Sequence, residues 1–255
     1  MTNQRIVIVF GGRSPIAIDC ALWLSKGWFV ILVTRKIDQL LLDKFNSLPS
    51  VSLIEANLER LGEAKRVIQY ACSFGRKIGA ILFLQRYRGG DNELFESHLA
   101  VEIFSTKEAI EATHSYNEPG SRVNVLVASS PAAHGVLIDQ TLEYHIVKAG
   151  QEALVRYLSI KLAKFGMCIN SIRIGSLVRK PRAKVYWDSI ANVLDHLEKI
   201  SPSGVVQTSE LLAARICGLL SADLDGVTGQ VFNIDDGFGL MDAAQLAKNS
   251  AERSL

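Results

Sequence analysis

The amino-acid sequence predicts a doubly wound α/β domain built on one seven-stranded, mainly parallel sheet. Three observations carry that expectation: seven short β-rich runs, longer helical patterns between them, and no linker, low-complexity tract or repeat dividing the 255 residues. The runs are 5–10, 28–34, 51–56, 79–84, 122–128, 168–174 and 230–234, and several are apolar throughout, as strands covered on both faces must be.

Helical patterns fall at 15–26, 37–46, 59–74, 92–113, 139–165 and 209–220, so strand and helix alternate and right-handed crossovers follow. Residues 1–240 are expected to form one unit, and 241–255 a polar, alanine-rich tail that is either a short helix or frayed. A hydrophobic fraction of 48% supplies a substantial core. With 28 basic against 26 acidic residues, no net field argues for nucleic acid or an anionic membrane surface. The apolar runs are far shorter than the roughly 20 residues that cross a bilayer.

Cys20, Cys72, Cys168 and Cys217 are widely spaced and read as reduced core thiols. No histidine is read as lying at metal-ligand spacing from a cysteine or carboxylate, so no metal is expected. The start of the chain reads as a strand and glycine turn rather than a leader, and a cytoplasmic location is expected.

After the first strand, Gly11-Gly12-Arg13-Ser14-Pro15-Ile16-Ala17 stands where a phosphate-binding turn would lie. Ser14 then Pro15 reads as an N-cap and first helical residue, leaving a helix N-terminus aimed at an anion. A plain strand-to-helix turn explains the glycine pair equally well. The second strand ends in Thr34-Arg35 without the acidic residue that would bond an adenosine ribose. A guanidinium there suits a 2′-phosphate, which predicts NADP(H) ahead of NAD(H), with Arg13 as a second cation.

Tyr144 and Lys148 share one face of a strongly helical stretch. An ammonium beside a phenol favours the phenolate and suits the tyrosine to general acid/base work. The run 123–128 ends in Ser129-Ser130, which puts hydroxyls at a C-terminal strand edge, where open α/β sheets hold ligands.

The ASS run, the stretch YHIVKAGQEALVRYLSIKLAKFGMCINSIRIGSL and the later TGQVFNIDDGFG together resemble the short-chain dehydrogenase/reductase family, whose Rossmann-type sheet carries a serine strand, a YxxxK helix and a C-terminal TGQ segment. By position, the resemblance implies that Tyr144 exchanges the proton, Ser130 holds the substrate oxygen, and Lys148 holds the nicotinamide ribose and acidifies the tyrosine. It also implies that Gly11, Arg13, Ser14, Ile16, Arg35, Asn57 and Leu58 contact the cofactor, with Gly175 and Leu177 beside the nicotinamide. A homotetramer or homodimer pairing through its long helices is implied too.

Several positions depart from the family pattern. In the TGxxxGxG turn, Gly11 matches, while Pro15 and Ala17 replace the later glycines. Asn57 replaces an acidic residue after the third strand, and Ile174 a proline. Leu84-Gln85-Arg86-Tyr87 occupies the place of NNAG and puts bulk beside the cofactor. Glu102 stands where the catalytic asparagine is usual. It either pairs with Lys148 or faces solvent, and Glu102→Asn is expected to keep the fold and alter the pH optimum.

Arg179, Lys180, Arg182 and Lys184, with Tyr186 and Trp187, suggest an anionic substrate or a solvated charge run. The expected function is an NADP(H)-dependent oxidoreductase interconverting a small carbonyl compound and an alcohol. The alternative is a non-catalytic nucleotide sensor or partner-binding subunit on the same fold.

Overall fold

The computed structural model describes residues 4–89, 94–116, 121–175, 178–179 and 193–252. The elements in chain order are β1 (Ile6–Phe10), α1 (Pro15–Leu24), β2 (Phe29–Thr34), α2 (Gln39–Phe45), β3 (Val51–Glu55), α3 (Glu63–Cys72) and β4 (Ile78–Phe83). Then come α4 (Phe95–His98), a π-helical stretch Leu99–Phe104, α5 (Ser105–Tyr116), β5 (Val123–Ser129), α6 (Leu142–Leu162), β6 (Met167–Ile174) and β7 (Val178–Arg179). The remainder are α7 (Val193–Ile200), β8 (Gln207–Thr208), α8 (Ser209–Ser221), β9 (Val231–Ile234) and α9 (Ala243–Glu252).

Seven strands form one sheet in the order β3-β2-β1-β4-β5-β6-β9, and every neighbouring pair in it is parallel. The alternation within β1 shows why both faces are covered. Ile6, Ile8 and Phe10 join Val67 and Ile68 of α3, Ile110 of α5 and Val155 and Leu158 of α6 in one core. Val7 and Val9 face the other way, toward Ile16 and Ala17 of α1 and Leu212 and Ile216 of α8. Strand order reverses between β1 and β4, so a ligand crevice is expected above the C-terminal ends of these strands.

All seven expected strands form, with shifts at their ends. The expected helix over 92–113 is instead α4, the π turn and α5, because the chain widens by a residue per turn over Leu99–Phe104. The expected helix from 59 begins only at Glu63, since Gly62 sits at φ +91° and interrupts the right-handed spiral. α7, the small β7–β8 pair and the helical character of the tail, α9, extend the sequence expectation. Among the described residues, no helix is long and apolar enough to cross a membrane. Also among them, no cluster of His, Cys, Asp and Glu is arranged to hold a metal.

Candidate functional site

Lys148 lies on α6, which starts where the Thr141 hydroxyl accepts a hydrogen bond from the Tyr144 N–H. The lysine is 4% exposed, and its ammonium donates to Glu102 Oε2 at 2.9 Å, Gln151 Oε1 at 2.8 Å and the Ala128 carbonyl at 3.3 Å. Glu102 is 0% exposed and belongs to the π turn. Its Oε1 meets His98 Nδ1 at 3.2 Å and accepts the Tyr87 N–H at 3.1 Å. Its backbone carbonyl accepts from Thr106 Oγ1 and Gln151 Nε2. Both carboxylate oxygens therefore have protein partners, drawn from α4, α6 and the loop after β4, which is what a buried charge requires.

This geometry excludes the solvent-facing alternative for Glu102: the carboxylate pairs with the lysine. It also corrects the reading of the histidines, because His98 and Glu102 are a buried i, i+4 pair.

Tyr144 is one helical turn before Lys148, with the ammonium 5.5 Å from its ring centroid. The tyrosine is 9% exposed, yet its hydroxyl is neither hydrogen bonded among the described residues nor sealed from solvent, so the phenol oxygen keeps contact with solvent. Ser130 follows β5 and is buried; its Oγ accepts from the Ala132 N–H at 3.3 Å, and no hydrogen bond joins it to Tyr144. Ser129 bonds instead to Glu152, which pairs with Arg173 at 2.8 Å and ties β5, α6 and β6 together.

The Arg86 guanidinium lies 4.0 Å above the Tyr144 ring centroid. Its Nη2 donates to Gln140 Oε1 at 2.8 Å. Gln140 sits in the loop that His145 fixes by accepting the Leu137 N–H at Nε2 and bonding the Thr141 carbonyl through Nδ1.

At the first turn, Gly11 has φ +90°, and a Cβ on it would come within 2.7 Å of the Leu84 and Gln85 backbone. Only glycine fits both the dihedral and the approach of the loop after β4. Ser14 takes the N-cap position of α1 but its side chain makes no capping bond, contrary to the expectation. The first-turn N–H groups beyond Pro15, those of Ile16 and Ala17, thus remain uncapped by that hydroxyl and suit an anion.

Arg13 pairs with Asp38 at 2.7 Å, and Asp38 in turn caps α2. An acidic residue therefore does stand just past β2, four positions beyond Thr34, and Arg13 is not an uncommitted cation. Arg35 is exposed and has no ionic partner among the described residues. Asn57 closes the turn ahead of α3, accepting from the Glu59 N–H, and Leu58 packs against the core. Gly175 bonds Ile234, and Asp235 packs against it so closely that a Cβ would meet that side chain at 2.5 Å. Leu177, with Lys180, Arg182, Lys184, Tyr186 and Trp187, lies outside the described residues, as does the side chain of Arg179.

The structure thus brings Glu102, Tyr144 and Lys148 together and adds His98, Gln151 and Gln140, which sequence reasoning missed, and Arg86, which the sequence offered only as bulk in the place of NNAG. The spacings of His98 to Glu102 and Lys148 to Gln151 were visible signals; the stacking of Arg86 had none.

Residues 52–239 match a family model described as enoyl-(acyl carrier protein) reductase. An enoyl-[acyl-carrier-protein] reductase [NADH] of Nostoc sp. is 32% identical over 97 residues, 38% of this chain and 36% of that protein. That of Aquifex aeolicus is 32% identical over 96 residues, 38% of this chain and 35% of that protein. The aligned region spans about a third of the length of these curated relatives.

A short-chain dehydrogenase/reductase of Mycobacterium ulcerans superposes with a TM-score of 0.81 at 21% identity, covering 94% of this chain and 92% of that one. A 3-oxoacyl-[acyl-carrier protein] reductase of Brucella melitensis, solved with NAD, gives 0.78 at 21% identity and covers 95% and 100%. At these identities the two structures establish the shared fold.

Proposed function

The chain belongs to the short-chain dehydrogenase/reductase family, and on that premise we propose that it is an NAD(P)(H)-dependent oxidoreductase interconverting a carbonyl compound and an alcohol, with Tyr144 as general acid/base. The observation that carries this reading is the Tyr144 hydroxyl, which keeps contact with solvent and has no protein partner among the described residues beside the buried Lys148. In the reductive direction the Tyr144 O–H gives its proton to the substrate oxygen as that oxygen gains charge, and Ser130 orients the same oxygen. When bound, the nicotinamide supplies the hydride.

The protein groups at the first turn fit such a cofactor: the uncapped start of α1 leaves N–H donors for its phosphates, while Gly11 lets the loop after β4 approach the turn. Lys148 fits less simply, because its three contacts already engage the ammonium. The longest of them, to Ala128, is the one a ribose hydroxyl would replace. Arg35 favours NADP(H) by offering a guanidinium free of carboxylates, whereas the relatives named as NADH enzymes favour NAD(H). Comparing dissociation constants for NADPH and NADH in wild type and Arg35→Ser decides between them; a loss confined to NADPH supports the 2′-phosphate role.

Tyr144→Phe tests the main reading. Turnover on a carbonyl panel should fall by about 10² to 10⁴-fold, with cofactor-induced stabilisation retained at roughly 2.7 kcal/mol for ligand at a hundred times Kd. Turnover that survives in Tyr144→Phe would sink it. The second reading, a nucleotide sensor, is favoured by the fully engaged Lys148 and the covered Tyr144 ring, and it predicts stabilisation by cofactor without turnover.

Residues 1–240 would constitute the catalytic unit in this reading. Exposed Tyr157 and Ile160 on α6 and Phe104 before α5 form the apolar surface through which a homodimer or homotetramer would assemble. Light scattering on wild type and Ile160→Glu tests that assembly. Four free thiols agree with a reducing, cytoplasmic setting.

A further inference from the structure

The buried charges of the cluster do not balance. Lys148 is answered by Glu102 at 2.9 Å, but Arg86, on the loop after β4, has no carboxylate partner among the described residues. Its contacts are the face of Tyr144 and a single hydrogen bond to the neutral Gln140. Its Nε is buried and unpaired, and so is Oε1 of the preceding residue, Gln85, which is itself 7% exposed. Two of the four buried unpaired side-chain atoms found among the described residues thus fall on consecutive residues of one loop. A partly buried guanidinium without a counter-charge is unfavourable unless an anion reaches its outer nitrogens. The Gln85 backbone packs against Gly11, so this loop borders the first turn at one end and the phenol at the other.

From this we infer that Arg86 binds an anionic group of the substrate, of the carboxylate class, and thereby sets the substrate's reactive oxygen over Tyr144. The inference rests on the oxidoreductase reading only for the ligand being a substrate; the anion site itself stands on the geometry. A planar carboxylate suits a guanidinium, and its charge makes the bond about twice as strong as one between neutral groups. Arg86 is then a specificity residue: it discriminates an oxo acid from its neutral ester, while Tyr144 treats the two carbonyls alike.

Binding of acetoacetate and levulinate, each against its methyl ester, measured by calorimetry with and without NADPH, tests this on wild type, Arg86→Gln and Gln140→Glu. Gln140→Glu places a carboxylate on the 2.8 Å contact and satisfies the arginine internally. Wild type should prefer at least one acid over its ester by about tenfold or more. Both variants should lose that preference, while Gln140→Glu melts at a higher temperature than wild type. The thermal gain shows that this variant is folded, so the test survives a failure of Arg86→Gln to fold.

Equal affinity for acid and ester in wild type would overturn the inference, as would a preference that persists in Gln140→Glu. It is also overturned if Gln140→Glu weakens NADPH and no acid is preferred, because the anion would then be a cofactor phosphate. Acid preference without any NADPH binding would leave this site standing and remove the oxidoreductase reading.

Discussion

At the first turn and the end of β2, the Ser14 hydroxyl makes no capping bond and the exposed Arg35 guanidinium has no ionic partner among the described residues. Two strands along the same sheet edge, Lys148 and Glu102 are buried and bonded to protein at each charged atom. The first region leaves its polar groups for a ligand to satisfy, whereas the second satisfies itself. An exposed phosphate turn costs little without a ligand because water solvates it. A buried ammonium has no such recourse, so its counter-charge must come from the fold.

The sharpest way to break this contrast is to remove the carboxylate. Glu102→Ala strands Lys148 in the interior and should cost about 3–5 kcal/mol, read as a lower denaturation midpoint. Pairing it with Lys148→Met should recover most of that loss, since replacing both charges with apolar groups is often neutral. A loss under about 1 kcal/mol in the single variant would show that the pair is solvated after all. By the same argument Glu102→Asn, expected from the sequence to keep the fold, should also lower the denaturation midpoint, because it removes an ionic partner from a site that is 0% exposed.

On the open side, Gly11→Ala should cost about 1–3 kcal/mol, through a φ of +90° and a backbone contact at 2.7 Å. It should also abolish cofactor-induced stabilisation. Full retention of that stabilisation would separate the turn from cofactor binding.

A smaller effect is expected where charge meets a helix end away from the site. Glu108 of α5 accepts the N–H groups of Gly62, Ala64 and Lys65 at 2.9, 3.1 and 3.3 Å, capping α3 across the fold. Glu108→Ala should cost about 1–2 kcal/mol, and melting of the variant measures it. Turnover should be unchanged at temperatures where the variant is folded.

The smallest effect concerns Asp236. Hydrogen bonds from the side chain and backbone of Ser203 and from Ser201 hold its carboxyl below the usual aspartate range. Because the folded value is depressed, this contribution is complete above the unfolded value of about 3.9 and is lost as the pH falls through the folded one. In Asp236→Asn, stability should fall less steeply than in wild type below about pH 4; identical acid titrations would remove the effect.

The sheet was legible because apolar runs and the alternation within β1 are local patterns, and parallel strands buried on both faces leave a strong one. The Tyr144 and Lys148 pair was legible for the same reason, since four residues along a helix share a face. The break in the helix over 92–113 was not, because the π turn carries no sequence period of its own. That turn is what brings the Glu102 carboxylate to a lysine 46 residues later.

The sequence by itself determined the parallel sheet, the glycine turn after β1 and the tyrosine and lysine on one helical face, all consequences of spacings of a few residues. Only the tertiary structure decided that Glu102 neutralises Lys148, that Arg86 covers Tyr144 without a counter-charge, and that Arg13 is held by Asp38. Charge pairing depends on which elements are stacked together and how deeply, and no local spacing encodes the distance between groups on separate elements.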